Sequence, residues 1–451
     1  MRTRWWPTGI GVVVALVVAL LTGCGSVGAS AADRPAFGVL GSSCRPDRVA
    51  ALHEAGARTA MTELQWARAE PAPGVVDEAY LASVRTRVET CAAGGLWVVL
   101  GLGLHNPPSW VLGLPSASYR DQDGRGSSSG EADLVFSAAA REAASGYLRA
   151  VAGAGVLTRV SAVRLAGELG YPAAEPDATR TAFWAFDDAA QGGPGRADGV
   201  EPSPMPGWRP GSPTWQGEPV SADAVDGWYD WYTGSLVDSV VWVADAVREL
   251  GFTGDLQVPL AGRGVLPEDR RAATDGLLDG RADPDGSLGK GLDYPAQFRV
   301  LADLDARLRA QRTPARALVD FTSLDDDSAV RARATHQDSC RPDDTPASLT
   351  AAGLDRGATQ RWTIALARAA GLGVVAENPG PPDLPNTGGT ARSDSEAAQM
   401  VQAGRYAREC GLDAWYLAFE DQLFEPGSGI DVASYGRVVR GNSVEGPTPG
   451  G

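Results

Sequence analysis

The chain has 451 residues and a formal net charge of −16, from 40 Lys plus Arg against 56 Asp plus Glu. Lysine occurs once, at Lys290. Phosphate binding runs on Lys and Arg, so this surface is a poor one for nucleic acid or anionic lipid. The histidines are His53, His105 and His336, and no C-x-x-C occurs, which argues against a His/Cys zinc site. No metal and no cofactor are expected.

The N-terminus reads as an export signal. Arg2 and Arg4 precede an apolar, uncharged stretch over 10–21, followed by Leu21-Thr22-Gly23-Cys24. A basic start, a short apolar core and a small-residue cleavage site describe a secretory signal over 1–23. The stretch is shorter than the roughly 20 residues a spanning helix needs. Leu-Thr-Gly-Cys resembles a bacterial lipobox. That resemblance implies cleavage before Cys24, lipidation of its sulfur and anchoring on the outer side of the cell membrane. Residues 24–34 then act as a flexible linker. Residues 441–451 read as a disordered tail. Four cysteines remain, Cys44, Cys91, Cys340 and Cys410, which allow three pairings that spacing alone does not separate.

Between 35 and 440, eight apolar runs read as strands: 37–40, 59–66, 96–104, 160–166, 255–260, 315–321, 373–376 and 414–419. Several intervals, such as 46–55, 79–91 and 236–250, repeat apolar residues at three and four. Strands alternating with helices imply parallel pairing with right-handed crossovers. Eight such units predict one (β/α)₈ TIM barrel with long loops at its C-terminal face. The loops 191–221, 266–296 and 379–396 are rich in Gly, Pro and Asp, and loops of that length usually serve binding or are disordered.

Function in this fold collects where strands end. The ends read Thr62-Glu63-Leu64-Gln65-Trp66, His105-Asn106-Pro107-Pro108-Ser109-Trp110, Ala166-Gly167-Glu168-Leu169-Gly170-Tyr171, Thr322-Ser323-Leu324-Asp325-Asp326 and Ala376-Glu377-Asn378. Carboxylates, amides and aromatics suit a sugar: rings stack, and polar groups bind hydroxyl pairs. Cleaving a glycosidic bond takes two carboxyls flanking it. Glu168 and Glu377 are the expected pair. Glu168, in the more apolar segment, is expected to be the desolvated general acid, and Glu377 the ionised partner. Glu63, Trp66, His105, Trp110, Tyr171, Thr322 and Asn378 are the expected sugar contacts. Trp66 and Trp110 read equally well as core, and Asp325-Asp326-Asp327 as a solvated turn. Trp208, Trp215 and Trp228 form either a lid or a satellite core.

At these residues the chain resembles clan A glycoside hydrolases, and more specifically the β-amylase family. Ala166-Gly167-Glu168-Leu169 is similar to that family's general-acid motif, and Val375-Ala376-Glu377-Asn378 to its general-base motif. Phe321-Thr322-Ser323-Leu324-Asp325 is similar to its mobile inner loop. His105 and Glu63 fall where the family binds sugar, the second in place of an aspartate. The β-amylase likeness implies inversion and the clan A likeness retention. Three departures remove sugar contacts. The loop after His105 reads as cut to Asn106-Pro107-Pro108. No lysine stands in Val258-Pro259-Leu260-Ala261, and Ala418 replaces an arginine. Little action on starch is therefore expected. The substrate reads as an external or cell-envelope oligo- or polysaccharide. Two other classes stay open: a carbohydrate-binding lipoprotein on a retired enzyme scaffold, and a two-lobed solute-binding lipoprotein.

Overall fold

A computed structural model describes residues 35–173, 180–279, 286–378 and 395–441. The export signal, Cys24, the linker and the tail beyond Gly441 lie outside the described residues. So do 280–285 and 379–394, within two of the long loops.

Eight strands close into a parallel barrel, in chain order β1 (Ala36–Val39), β2 (Thr59–Glu63), β3 (Trp97–Gly101), β4 (Ala162–Arg164), β5 (Asp255–Leu260), β6 (Ala317–Phe321), β7 (Gly373–Glu377) and β8 (Ala414–Leu417). Each strand pairs with its sequence neighbours, and β8 returns to β1 through Ala36↔Ala414 and Phe37↔Trp415. The expected architecture holds, and a two-lobed open sheet is ruled out. Five of the strands are shorter than the apolar runs that announced them. β2 stops at Glu63, and Trp66 opens a helical turn, α2 (Trp66–Ala69), instead of ending the strand. β4 stops at Arg164, so Glu168 stands four residues beyond it.

Side chains two apart on a strand share a face. On the inner face, Met61, Val99, Ala162, Leu318 and Val375 plug the barrel with Leu40, Ala414 and Tyr416. Two residues further along the same strands stand Glu63, Gly101, Arg164, Asp320 and Glu377. The register Glu63↔Gly101↔Arg164↔Gln257 sets several of these groups in one layer above the plug. The other strand face packs on a ring of helices and forms the larger core. Helix α1 (Pro46–Ala55) is linked to α3 (Glu78–Ala93) by the disulfide Cys44–Cys91, and Cys340 bonds Cys410 at the end of α12 (Glu396–Glu409).

Candidate active site

The floor of the barrel mouth is built on Arg164. Its Nη2 donates to Glu377 Oε1 at 3.0 Å, and its Nε lies 3.3 Å from Asp320 Oδ2. Asp320 is fully enclosed, with 1% of its side chain exposed, and Glu377 nearly so, with 9%. Burial pushes both carboxyls above the usual carboxylate range, Arg164 pulls both back, and the charge of Glu168 adds to the upward push. Across the layer, Gln257 Nε2 donates to Tyr416 Oη at 2.8 Å. Four buried oxygens here, Gln257 Oε1, both of Asp320 and Glu377 Oε2, meet no hydrogen-bond donor among the described residues. Buried polar atoms are rarely left so.

The wall of the mouth is built on loops. Glu168 is exposed, and its Oε1 accepts from Thr322 Oγ1 at 2.8 Å. The burial expected of the pair is therefore reversed: Glu377 is enclosed and Glu168 open. Sequence neighbours misled here because Leu165 and Leu169 turn away into the core while Glu168 does not. Gly167 has no side chain because its backbone lies against His105; a Cβ there would stand 2.9 Å from His105 Cβ. His105 Nε2 in turn sits 3.4 Å from Glu63 Oε1, and burial lowers its pKa against the pull of Glu63.

Beyond Asn106-Pro107-Pro108 the chain continues as a long segment. Residues 102–137 run from β3 to α5 (Ala138–Gly153) with one short helix, α4 (Ser109–Leu112). The segment folds back through an antiparallel bridge between Ser118 and Ala132, which carries Glu131 to the mouth. Glu131 and Glu168 both line a cavity of about 790 Å³ with Tyr171, Arg263, Lys290 and Ser323, and both line a smaller cleft with His105 and Tyr119. Burial, and then the charge of Glu168, push Glu131 up to about 7 against Lys290. The lone lysine, which β5 lacks, thus arrives from the segment ahead of α8 (Tyr294–Arg309).

A second pair of carboxyls fastens this wall. Asp133 Oδ1 accepts from the backbone N–H groups of Val135 and Phe136, both at 2.9 Å. Asp187 Oδ1 accepts from Ala189 at 2.8 Å and Ala190 at 3.2 Å. The remaining oxygen of each is buried with no hydrogen-bond donor among the described residues, and the two carboxyls face each other. That contact needs a shared proton. Burial raises Asp133 well above the ordinary carboxylate value and raises Asp187 as well.

Several expected contacts belong to the core instead. Trp66 is fully buried, stacked on Tyr147 at 5.2 Å between centroids. Trp110 packs on the same core and donates to Glu70 O at 3.1 Å. Tyr171 borders the large cavity, yet it is buried and stacked on Tyr232 at 4.2 Å. Asn378 is spent on Ala418 N and Gln399. Trp208 and Trp228 are neither lid nor satellite: both are buried in the main core, edge to face at 5.5 Å. The acidic run is no solvated turn: Asp325 is buried on Arg333, and Asp326 caps α9 (Asp327–Arg333). Sequence reading missed Arg164, Gln257, Glu131 and Lys290. The first two were visible as polar residues interrupting apolar runs.

No protein-family model and no curated protein matches the chain. Among solved structures, the barrel resembles the catalytic domain of β-amylase from Paenibacillus polymyxa, with a TM-score of 0.58 and 15% identity over 92% of this chain and 100% of that one. It also resembles the β-galactosidase of Halorubrum lacusprofundi, with a TM-score of 0.51 and 17% identity over 90% of this chain and 57% of that one. Identities this low establish the fold: a (β/α)₈ barrel of the kind those glycosidases have.

Proposed function

We propose that the protein is a glycoside hydrolase with Glu168 and Glu377 as its carboxyl pair. The observation that carries this reading is the arrangement at the mouth. Two glutamates, one ending β7 and the other on the loop after β4, face it, one fixed on a buried guanidinium and the other on a threonine hydroxyl beside an open cavity. Arg164 offers one positive charge to two enclosed carboxyls, so the trio keeps a proton at neutral pH. Burial pushes Glu377 up to about 8 and raises Asp320 as well; in this reading the proton rests on Asp320, whose oxygens meet no well-placed donor, because Glu377 accepts from Arg164. Glu377 then activates water at, or attacks, the anomeric carbon. Glu168, at the open side, gives a proton to the departing oxygen. Cavities of about 300–1,000 Å³ are typical for bound ligands, and the 790 Å³ space suits a short stretch of glycan.

The short Asn106-Pro107-Pro108 stretch after His105 weighs against starch. The missing β5 lysine and Ala418 still favour another glycan. A panel of polysaccharides, scored by reducing ends, tests the reading. Glu168→Gln and Glu377→Gln should each cut turnover about 10²–10⁴-fold, the usual worth of a positioned proton-transfer group, with the melting temperature little changed. Either variant retaining more than about a tenth of the activity, well above that loss, removes its glutamate from the pair. An inert wild type favours a sugar-binding scaffold. The two disulfides support export, and Leu21-Thr22-Gly23-Cys24 supports a lipid anchor. Cys24→Ser should move the protein out of the membrane fraction or leave it unprocessed; unchanged fractionation without lipid on the mature chain would contradict the anchor.

A further inference from the structure

The net charge of −16 averages two unlike ends of the barrel. Carboxyls gather at the mouth. The opposite face, where helices end and strands begin, carries exposed arginines. Arg58 precedes β2, Arg159 lies ahead of β4 and Arg312 between α8 and β6, while Arg368 and Arg440 stand at the ends of α11 (Thr359–Ala369) and α13 (Val432–Arg440). Arg58 and Arg368 bond to the carbonyls of Ala57 and Gly411, and none of the five has an ion-pair partner among the described residues. Acids on this face are largely spent: Asp255 and Asp413 on Arg316, and Glu409 on Arg405. Glu54 and Glu249 stay exposed and unpaired. An arginine in a last helical turn complements the helix dipole. That reason does not reach Arg58, Arg159 and Arg312, which lie outside the α-helices.

Trp97 opens β3 in the middle of this face. Its N–H donates to Arg58 O at 2.8 Å, and Ser161 N, two residues after Arg159, donates to Val98 O at 2.8 Å. By the strand period Trp97 is in phase with the plug residue Val99, yet it stands outside the plug and is 61% exposed. Tryptophan pairs an apolar body with an N–H, and it gathers at membrane interfaces. The chain also enters the barrel here, since β1 begins at Ala36. Residues 24–34 are eleven. A flexible chain of that length spans about 18 Å on average, at roughly 5–6 Å times the square root of its length. A lipid on Cys24 therefore keeps a bilayer within reach of this face.

Resting on the lipid-anchor reading, we propose that the strand-start face of the barrel docks on an anionic phospholipid bilayer, with Trp97 in the headgroup layer and Arg58, Arg159 and Arg312 on the lipid phosphates. Basic residues close to such a surface are drawn to it within a Debye length. The acidic remainder of the chain is repelled by the same field. Both forces turn the molecule one way, with the mouth away from the membrane. One indole and a few arginines bind weakly by themselves. The tether makes their contact intramolecular, which raises its effective concentration.

The test uses the lipidated protein in two kinds of vesicle with brominated acyl chains, phosphatidylcholine alone and phosphatidylcholine mixed with phosphatidylglycerol. Mass spectrometry first reads the lipid on the mature chain. Bromine quenches a tryptophan that reaches the bilayer. Quenching is expected on the mixed vesicles, little on phosphatidylcholine alone, and none in Trp97→Ser. Arg159→Glu combined with Arg312→Glu should lower the ratio of docked to undocked molecules by at least about fivefold per changed residue, the worth of one basic residue near an anionic surface. Its melting temperature should not change, and added salt should weaken docking of the wild type in the same direction. Quenching that survives Trp97→Ser, or that is equal on both kinds of vesicle, overturns the docking. Retention on dextran sulfate without quenching on mixed vesicles also overturns it, and gives the arginines to a soluble polyanion. A mature chain without lipid brings down the anchor reading and the docking with it. A lipidated chain that shows no quenching brings down the docking alone.

Discussion

The floor and the wall of the barrel mouth are built by different means. Arg164, Asp320 and Glu377 project from strand ends, so backbone pairing around the barrel holds them, and their side chains are enclosed. Glu131 and Glu168 stand on loops, held by a hydroxyl, a bridge and the buried Asp133–Asp187 contact. Burial comes first in both: it raises Asp320 and Glu377 on the floor, and on the wall it raises Glu131, with the charge of Glu168 second, beside a cavity open to water. A group of the first kind is insensitive to loop movement and costly to disturb. A group of the second kind depends on a few weak fastenings and is easily retuned.

Arg164→Met tests the floor hardest. It leaves two buried carboxyls without a cation, a change worth about 3–5 kcal/mol when one partner of a buried pair is removed. With Arg164 gone, the folded-state pKa values of Asp320 and Glu377 rise further above their unfolded values. Stability carried by such raised carboxyls is present at low pH and lost as pH climbs. Melting at pH 5 and pH 8 should therefore show the larger deficit at pH 8. An equal deficit at both would mean that Arg164 works by packing alone.

Thr322→Val probes the link between floor and wall. It deletes the hydroxyl that holds Glu168, a hydrogen bond worth roughly 1 kcal/mol. We expect turnover to fall about five- to tenfold, the rate equivalent of that bond, with KM little changed. A loss as large as that of Glu168→Gln would show that Thr322 itself contacts the reacting atoms.

Asp133→Asn addresses the fastening behind the wall and should have the smallest effect. Asp133 has a raised folded pKa, so its contribution to stability is full below its unfolded value near 3.8 and is lost as pH rises through the folded value. An amide in its place donates to Asp187 at every pH. The variant should match or fall slightly below the wild type at pH 4 and gain about 1 kcal/mol at pH 8, the net worth of one hydrogen bond. Parallel melting curves across that range would mean the two carboxyls carry no shared proton.

The same division explains what could be read in advance. All eight strands were legible because a buried strand must be apolar over a length that loops do not sustain. The floor was half legible: Glu377 ends its run, Arg164 interrupts its run as a lone charge, and Asp320 interrupts one that also holds Arg316. Each stands two residues beyond a plug residue, as in Ala162 to Arg164 and Leu318 to Asp320, which is the strand period. The wall was not legible. Glu131 lies in a polar segment with no periodicity, and the neighbours of Glu168 suggested enclosure when the backbone turn gives exposure. Trp66 and Tyr171 read as sugar platforms, although aromatic stacking in the core fits the same residues.

By itself the sequence determined the barrel, its order of strands and the candidate carboxyls of the pair, because local apolar period and strand count leave few other closed solutions. Tertiary structure alone decided the disulfide partners, the burial order of Glu168 and Glu377, and the meeting of Glu131 with Glu168. Those depend on distances between segments far apart in the chain, and on which side of a turn faces water. Such quantities have no local signature, since the same residues in another loop path would carry other charges and other neighbours.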